Sequence, residues 1–204
     1  MIGYASRTGT RRNLEALRRA GWRLLVSATG CWRNEGFRYA LDNGAWTAHQ
    51  NGLPFDGARF LRLVEQMGEA ADWIAVPDIV AGGLRSLEFS LQWLPRLAGM
   101  RLLLPVQDGM TPRDVASHVG PDLGIFIGGS SDWKEQTALA WGELARERSA
   151  YLHMARVNTQ RRILIAQAAG CHSFDGTSVS RYAVTLHELD PVRRQQSLCL
   201  ETTQ

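Results

Sequence analysis

Short apolar runs alternate with amphipathic stretches along the 204-residue chain. Eight of the runs are brief, and several end in Gly, Pro or Asp: IGYA, RLLVSA, FRYALDNG, DWIAVPD, RLLLPVQDG, LGIFIGG, YLHMARVN and HSFDG. Between them lie stretches with apolar residues at helical spacing: RRNLEALRRA, FDGARFLRLVEQMGEA, LRSLEFSLQWLPRLA, TPRDVASHV, DWKEQTALAWGELARERS and TQRRILIAQAA. This alternation predicts parallel strands that are joined by helices.

The number of strands favours a closed sheet. Eight nearly continuous apolar runs predict a compact (β/α)8 TIM-type barrel, a single domain over residues 1–190, with a polar C-terminal tail over residues 191–204. An open doubly wound sheet is the alternative. No GxGxxG follows the first run and no GxxxxGK[ST] occurs in the chain, so the sequence supports neither dinucleotide nor P-loop chemistry.

The amino-acid composition limits the class of protein and the compartment in which it is expected. A hydrophobic content of 45% is normal for a globular core. The sequence has no apolar run of about 18 residues that would predict a membrane span, and its first residues lack the apolar stretch of a secretion signal. The three cysteines are far apart and odd in number, which predicts a reducing cytoplasm and argues against a disulfide framework or a cysteine zinc site.

The charge is mildly basic, with a net value of +3, and Lys134 is the only lysine among 23 basic residues. Arginine's planar fork suits phosphate, so this enrichment permits a nucleic-acid partner. A GC-rich coding bias produces the same enrichment, and the sequence leaves both explanations open.

Polar residues, and in one case a pair of glycines, follow several of the apolar runs. They are Asp42, Asp78, Gln107, Asp108, Gly128, Gly129, His153, Arg156, Asn158 and Asp175. In a (β/α)8 barrel the downstream ends of all strands form one mouth, which is where such enzymes carry their active sites. We therefore expect these residues to lie around one opening, although Asp108 and Asp132 also fit ordinary turn and helix-cap roles.

This set of residue types suits glycosyl transfer to or from a purine. One carboxylate can attack an anomeric carbon and hold the sugar covalently, while a second moves protons. A third carboxylate, an amide side chain and backbone N–H groups can read the donors and the O6 acceptor of guanine. A Gly-Gly pair lets the backbone approach a base closely. None of these steps requires a metal or an organic cofactor.

The order of these motifs resembles the queuine and archaeosine tRNA-guanine transglycosylase superfamily, over roughly Tyr39 to Arg181. The family's DSGGFQ-like strand end resembles DNGAW at Asp42, its base-reading aspartate resembles Asp78 in VPD, and its VQGG glutamine resembles Gln107 in VQDG. Its GGLAVGE backbone donors resemble Gly128 and Gly129 in IGGSSDWKE. Its LMGVG strand resembles HMARVN, and its nucleophile segment FDCVMPTRNAR resembles SFDGTSVSR, which implies Asp175 as the nucleophile and Arg181 as the trailing arginine.

The resemblance implies base exchange through a covalent aspartyl-glycosyl intermediate, with Asp175 and Asp42 catalytic and a 7-deazaguanine as co-substrate. Only His187 and Cys199 are candidate zinc ligands after Asp175, so the zinc subdomain of the tRNA enzymes is not expected. The shortened pattern is more similar to the DNA-modifying branch of phages and bacteria, which makes DNA a better expected substrate than tRNA.

Other functions stay open from the sequence. A transferase for free nucleosides, nucleotides or tRNA, a hydrolase, and a non-catalytic barrel that binds nucleic acid or a protein all fit the same residues. Association as a homodimer, or with a partner protein of a modification system, is also open.

Contacts to nucleic acid are expected from Arg156, Arg161 and Arg181 to phosphates and from Trp46 to a base. Trp133 and His153 could also stack on bases, but packing roles fit these two residues and Trp46 as well. The remaining tryptophans of strands and amphipathic helices are predicted to lie in the core: Trp22, Trp73, Trp93 and Trp141.

Overall fold

The computed structural model describes residues 1–6, 10–181 and 183–195, except for the side chains of residues 181 and 183. Its strands are β1 (Ile2–Ser6), β2 (Arg23–Ser27), β3 (Tyr39–Asp42), β4 (Ile74–Ala75), β5 (Leu102–Val106), β6 (Leu123–Ile127), β7 (Leu152–Met154) and β8 (Ser173–Gly176). Each strand pairs in parallel with the next, and β1 closes the barrel against β8 with Tyr4 opposite Asp175. The predicted (β/α)8 barrel is confirmed, and the open sheet is excluded.

Helices cover the outside of the barrel. They are α1 (Arg11–Arg19), α2 (Ala45–Gln50), α3 (Gly57–Met67), α4 (Leu84–Trp93), α5 (Pro112–Val115), α6 (Ser131–Glu147), α7 (Gln160–Ala168), α8 (Ser178–Arg181) and α9 (Ala183–Arg194), with a 3-10 turn at Leu94–Leu97. The six amphipathic stretches read from the sequence all form helices. The short α2 and α8 and the last helix α9 were not predicted.

The last described helix, α9, adds to the barrel wall. Residues 191–194, which the sequence assigns to a polar tail, lie in α9, and residues 196–204 lie outside the described part of the structure. Arg193 is buried and donates to the carbonyl oxygens of Met1 and Ala20 at 3.2 and 2.5 Å. Asp190 also accepts from the Trp22 indole N–H at 2.8 Å. These contacts tie α9 to both ends of the first βα unit.

Two apolar layers are separated by the sheet. The outer layer lies between strands and helices and includes Trp22, Trp93 and Trp141. The inner layer fills the barrel and includes Trp73, so all four tryptophans predicted as core are buried. Inside the barrel, the His153 ring lies 4.5 Å from Trp73 and stacks on Phe126 at 4.9 Å, measured between ring centroids.

Side chains two residues apart on a strand lie on the same face of the sheet, so the inward-facing positions continue from the inner layer to the mouth. Ala40 belongs to the inner cluster, and Asp42 follows two residues later on the same face of β3. Ser173 and Asp175 are related in the same way on β8, and both contact the inward-facing His153. On each of these two strands, the residue that faces inward deeper in the barrel is followed, two positions downstream, by an inward-facing carboxylate at the mouth.

Candidate active site

Three carboxylates converge at the downstream end of the barrel. Asp42 is the last residue of β3, Asp175 lies in β8, and Asp78 follows β4 by three residues. Repulsion from Asp175 contributes to a raised pKa at Asp42, and repulsion from Asp42 contributes to a raised pKa at Asp78, after burial in each case. The sequence prediction that these distant aspartates meet at one mouth is consistent with this mutual repulsion.

Asp175 is held by one of its two oxygens. Its Oδ1 accepts from the backbone N–H of Arg156 at 3.2 Å and lies 3.0 Å from Nε2 of His153. Burial lowers the pKa of His153, so the imidazole is neutral, with Nε2–H donating to Asp175 and Nδ1 accepting from the Ser173 hydroxyl at 2.8 Å. No described residue donates to Oδ2 of Asp175, which leaves that oxygen for a substrate.

Asp42 has the properties of an acid–base group. Burial raises its pKa to about 6 and the neighbouring Asp175 contributes to the rise, while the hydroxyl of Ser27 and the N–H of Gly44 oppose it. The Gly44 N–H donates to Oδ2 of Asp42 at 3.1 Å. A carboxyl whose pKa lies close to neutral pH can both deliver and accept a proton during a reaction.

Asp78 is fixed by amide side chains. The Asn43 Nδ2 group donates to Oδ1 of Asp78 at 2.9 Å and to the Val76 carbonyl at 2.8 Å. The Gln107 Nε2 group lies 3.5 Å from Oδ2 of Asp78 and donates to the Ser86 hydroxyl at 2.6 Å and to the Ile79 carbonyl at 2.9 Å. Gln107 therefore uses its amide hydrogens within the protein and acts by positioning Asp78 and the loop behind it.

Asn43 is a site residue that sequence reasoning missed. Its side chain is buried, and its Oδ1 accepts from the Ala45 N–H at 2.8 Å while its amide holds Asp78. The signal was present, because an Asn before Gly commonly bonds its own backbone two residues on. Burial raises the pKa of Asp78 to about 6 and Asp42 contributes to the rise, whereas Asn43 and Arg156 both favour the ionised form.

The Gly-Gly pair supplies one free amide. The sequence analysis expected the Gly128 N–H to donate to the base. This N–H donates instead to the Val106 carbonyl at 2.8 Å, so it is not available to a base. No described residue accepts from the Gly129 N–H. Gly129 has a left-handed φ of 69°, and an added Cβ would lie 2.8 Å from the Trp133 ring and 2.6 Å from the Asp108 carboxylate. Its conformation and surroundings therefore require glycine.

Asp108 is structural, as the turn interpretation expected. Its carboxylate accepts from the N–H and the hydroxyl of Ser130, each at 2.6 Å, directly before α6. Burial alone would raise the pKa of Asp108, but these two hydrogen bonds outweigh it and lower the pKa. The carboxylate thus anchors the loop that carries Gly129.

The residues predicted to contact nucleic acid do not all lie at the mouth. Arg156 and Trp46 lie together at the mouth, with the guanidinium carbon 4.1 Å from the centre of the Trp46 ring. Arg161 lies on α7, where its 80% exposed side chain pairs with Glu135 at 3.0 Å. The side chain of Arg181 lies outside the described residues. His153 is fully buried within the barrel, so it is a structural residue and not a stacking platform.

Lys134 is a second residue that sequence reasoning did not place in the site. Its side chain is fully buried, and Nζ donates to the Ala155 carbonyl at 2.6 Å. The same peptide group donates at its other end, through the Arg156 N–H, to Asp175. One amide group therefore links the lysine to the carboxylate. Burial lowers the pKa of Lys134 to about 7, helped by Arg156 and opposed by Asp175. The available signal was that Lys134 is the only lysine, since an ammonium can lose its proton on burial whereas a guanidinium does not.

Replacing Lys134 with methionine is expected to flatten the dependence of stability on pH. Between pH 7 and about 10, folded Lys134 is neutral while the unfolded chain binds one more proton, so raising the pH stabilises the native state. The free energy of unfolding of the wild type should rise relative to Lys134→Met by up to about 1.4 kcal/mol per pH unit between pH 7 and 9. Urea unfolding at pH 6, 7, 8 and 9 measures this difference, and parallel curves would contradict the buried neutral amine.

Two surface cavities lie apart from the carboxylates of the mouth. One, of about 150 Å³, lies next to the DNGAW turn and is lined by Asn43, Gly44, Phe55 and Arg59, among others. The other, of about 380 Å³, is a shallow depression by the β2–β3 loop and the end of α3, with Trp32 and Gln66 in its wall. The carboxylates of the mouth line neither cavity.

Comparisons with family models and with curated proteins find no match. The transglycosylase resemblance therefore rests on the order of the motifs alone. Among the described residues, no group of three or more His, Cys, Asp or Glu side chains could hold a metal ion. No helix in the described ranges has the length and apolar character needed to cross a membrane.

Proposed function

We propose that the protein is a base-exchange glycosyltransferase that replaces guanine in DNA with a 7-deazaguanine. The observation that carries this proposal is the pairing of two carboxylates with different environments at one mouth. Asp175 has one oxygen held and one oxygen without a donor among the described residues, whereas Asp42 has a pKa of about 6. A nucleophile beside a proton-transfer group is what double displacement at an anomeric carbon requires.

The first half-reaction breaks the bond to the resident base. Oδ2 of Asp175 attacks C1′ of the deoxyribose, the C1′–N9 bond breaks, and its electron pair stays on guanine. Asp42 donates the proton that the departing guanine takes up. The product is an ester between Asp175 and C1′, with the negative charge transferred to the Asp42 carboxylate.

The second half-reaction restores the enzyme. N9 of the incoming 7-deazaguanine loses its proton to Asp42 and attacks C1′, and the ester bond breaks to return the Asp175 carboxylate. Because Asp42 gives one proton and recovers one, the cycle is balanced without an oxidant or any other co-reactant.

The same mouth offers groups that suit guanine recognition. The carboxylate of Asp78 can accept from the N1–H and the 2-amino group of the base, and the Gly129 N–H can donate to O6. Gln107 and Asn43 contribute by holding Asp78 in place. A 7-deazaguanine has this same edge, so one pocket suits both bases.

The proposal is tested by following labelled guanine into candidate substrates. Duplex DNA, single-stranded DNA, tRNA and free deoxyguanosine are incubated side by side with the wild-type protein, and a denaturing gel detects any covalent adduct. We expect incorporation into DNA, together with an adduct that accumulates when the replacement base is withheld. We also expect DNA binding to weaken steeply with salt.

Other outcomes would redirect the proposal. Guanine release without incorporation indicates a hydrolase, and labelling of deoxyguanosine alone indicates a small-molecule enzyme. Labelling of tRNA in preference to DNA changes the substrate and leaves the mechanism intact. The absence of both label and adduct with all four substrates would contradict an exchange enzyme.

A further inference from the structure

The Arg156 guanidinium lies at the mouth between Trp46 and Gly129. The side chain is half-buried, its carbon lies 4.1 Å from the Trp46 ring centre, and Nη2 donates to the Gly129 carbonyl. Burial lowers the pKa of Arg156, while the nearby carboxylates of Asp175, Asp108 and Asp78 favour its charged form. Among the described residues, however, no carboxylate forms an ion pair with it. An aromatic face and a carbonyl oxygen hold this cation instead.

These two contacts, a stacked face and an N–H donated to an oxygen, are of kinds that a guanine ring can also make. A guanidinium is a planar carbon bonded to three nitrogens, and guanine carries the same unit at N1, C2, the 2-amino group and N3. Both present a flat face that stacks on an aromatic ring and an edge of N–H donors for carbonyl and carboxylate oxygens. The 7-deazaguanines differ from guanine at position 7, away from this edge.

The backbone of Arg156 is fixed independently of its side chain. Its φ of 55° lies in the left-handed region, and its peptide group is held between Lys134 and Asp175. The side chain can therefore leave the mouth by rotating about its own bonds, while the N–H of Arg156 remains on Oδ1 of Asp175. Displacement of the guanidinium does not require the catalytic carboxylate to move.

We infer that the Arg156 guanidinium occupies the base position of the empty enzyme and that guanine or a 7-deazaguanine must displace it to bind. This inference rests on the proposed function and assigns a regulation to the same site. A free base competes with the arginine, and its apparent affinity is reduced by the fraction of molecules in which the arginine is in place. A DNA phosphate gives the displaced guanidinium a new partner, so DNA and base binding are positively coupled.

Equilibrium binding of labelled guanine to the full chain tests the inference. We expect Arg156→Ala to bind guanine about tenfold or more tightly than the wild type. A duplex that contains only A·T pairs, which offers phosphates but no reactive guanine, should tighten guanine binding by the wild type and have no such effect on Arg156→Ala. Millimolar guanidinium ion should compete with guanine for the Arg156→Ala site.

Three further variants test whether the effect is specific to the guanidinium of Arg156. Arg101→Ala removes an exposed arginine that precedes β5 at the opposite end of the barrel, and it should bind guanine as the wild type does. Arg156→Lys keeps a positive charge but loses the planar fork, and we expect intermediate tightening. Trp46→Ala added to Arg156→Ala should weaken binding again, because it removes the ring on which the base would stack.

The inference and the proposed function fail in different ways. Equal or weaker guanine binding by both Arg156 variants overturns the inference, even if the wild type forms its covalent adduct with DNA. Tighter binding by these variants, in a protein that never forms an adduct, supports the inference and contradicts the exchange reaction. Binding requires no covalent step, so the two measurements are independent.

Discussion

Replacing Asp175 with asparagine is expected to abolish the covalent adduct and to lower the guanine exchange rate by about a thousandfold or more. Asparagine has nearly the same size, and its carbonyl can still accept from His153 and from the Arg156 N–H. An amide is not a nucleophile toward C1′, however, and cannot form the ester. The measurement combines the exchange rate with a denaturing gel of the protein after incubation with DNA.

Asp122→Asn provides the matched control. Asp122 lies exposed in the turn before β6, so the same chemical change there should leave both the adduct and the exchange rate unchanged. An adduct that persists in Asp175→Asn would move the nucleophile to another carboxylate of the mouth, with Asp42 the first to examine. Retention of circular dichroism and of cooperative unfolding would establish that the loss is chemical.

Replacing Asp42 with asparagine should slow exchange by about 10²- to 10⁴-fold while stabilising the fold at neutral pH. The pKa of Asp42 is raised from 3.8 to about 6, so its contribution to stability is fully present below pH 3.8 and is lost as the pH rises through 6. The asparagine side chain carries no charge, so its burial incurs no such loss. At pH 7.5 the variant should therefore exceed the wild type in free energy of unfolding by up to about 3 kcal/mol.

Urea unfolding at pH 4 and pH 7.5, together with the pH–rate profile of exchange, measures both effects. Most of the stability gain should vanish at pH 4, where folded Asp42 is protonated and the unfolded residue is about half protonated. The inflection of the wild-type rate near pH 6 should be missing in the variant. A rate equal to that of the wild type would exclude Asp42 as the proton-transfer group, and a loss of stability at pH 7.5 would contradict the cost of burying its charge.

The main features of the barrel were predictable because they depend on local pattern. Alternating apolar runs and amphipathic stretches specify parallel strands with helices between them, and polar residues after each run must face the mouth. Asp42 and Asp175 needed no further information, since their positions follow from the ends of β3 and β8. The short α2 escaped prediction because six residues after a left-handed Gly44 show no helical period.

Side-chain direction in the site was not predictable from the pattern. Arg156 is expected to contact phosphates around the mouth, but the sequence did not indicate its left-handed backbone or the contact of its guanidinium with the Trp46 ring. Lys134 was not placed in the site because it lies in the first turn of a helix, from which it reaches the Ala155 carbonyl after β7. Both placements depend on contacts between residues that are distant in sequence, which periodicity does not encode.

The aromatic filling of the barrel determines how molecules reach the carboxylates. Four aromatic side chains pack in edge-to-face, tilted and stacked pairs beneath Asp175, so a base that enters from the mouth has no passage through the barrel: Tyr4, Trp73, Phe126 and His153. In an exchange reaction the outgoing base and its replacement would have to use the same doorway in turn. For such a reaction this geometry would favour ping-pong kinetics, in which the first base leaves the glycosylated protein before the second base binds.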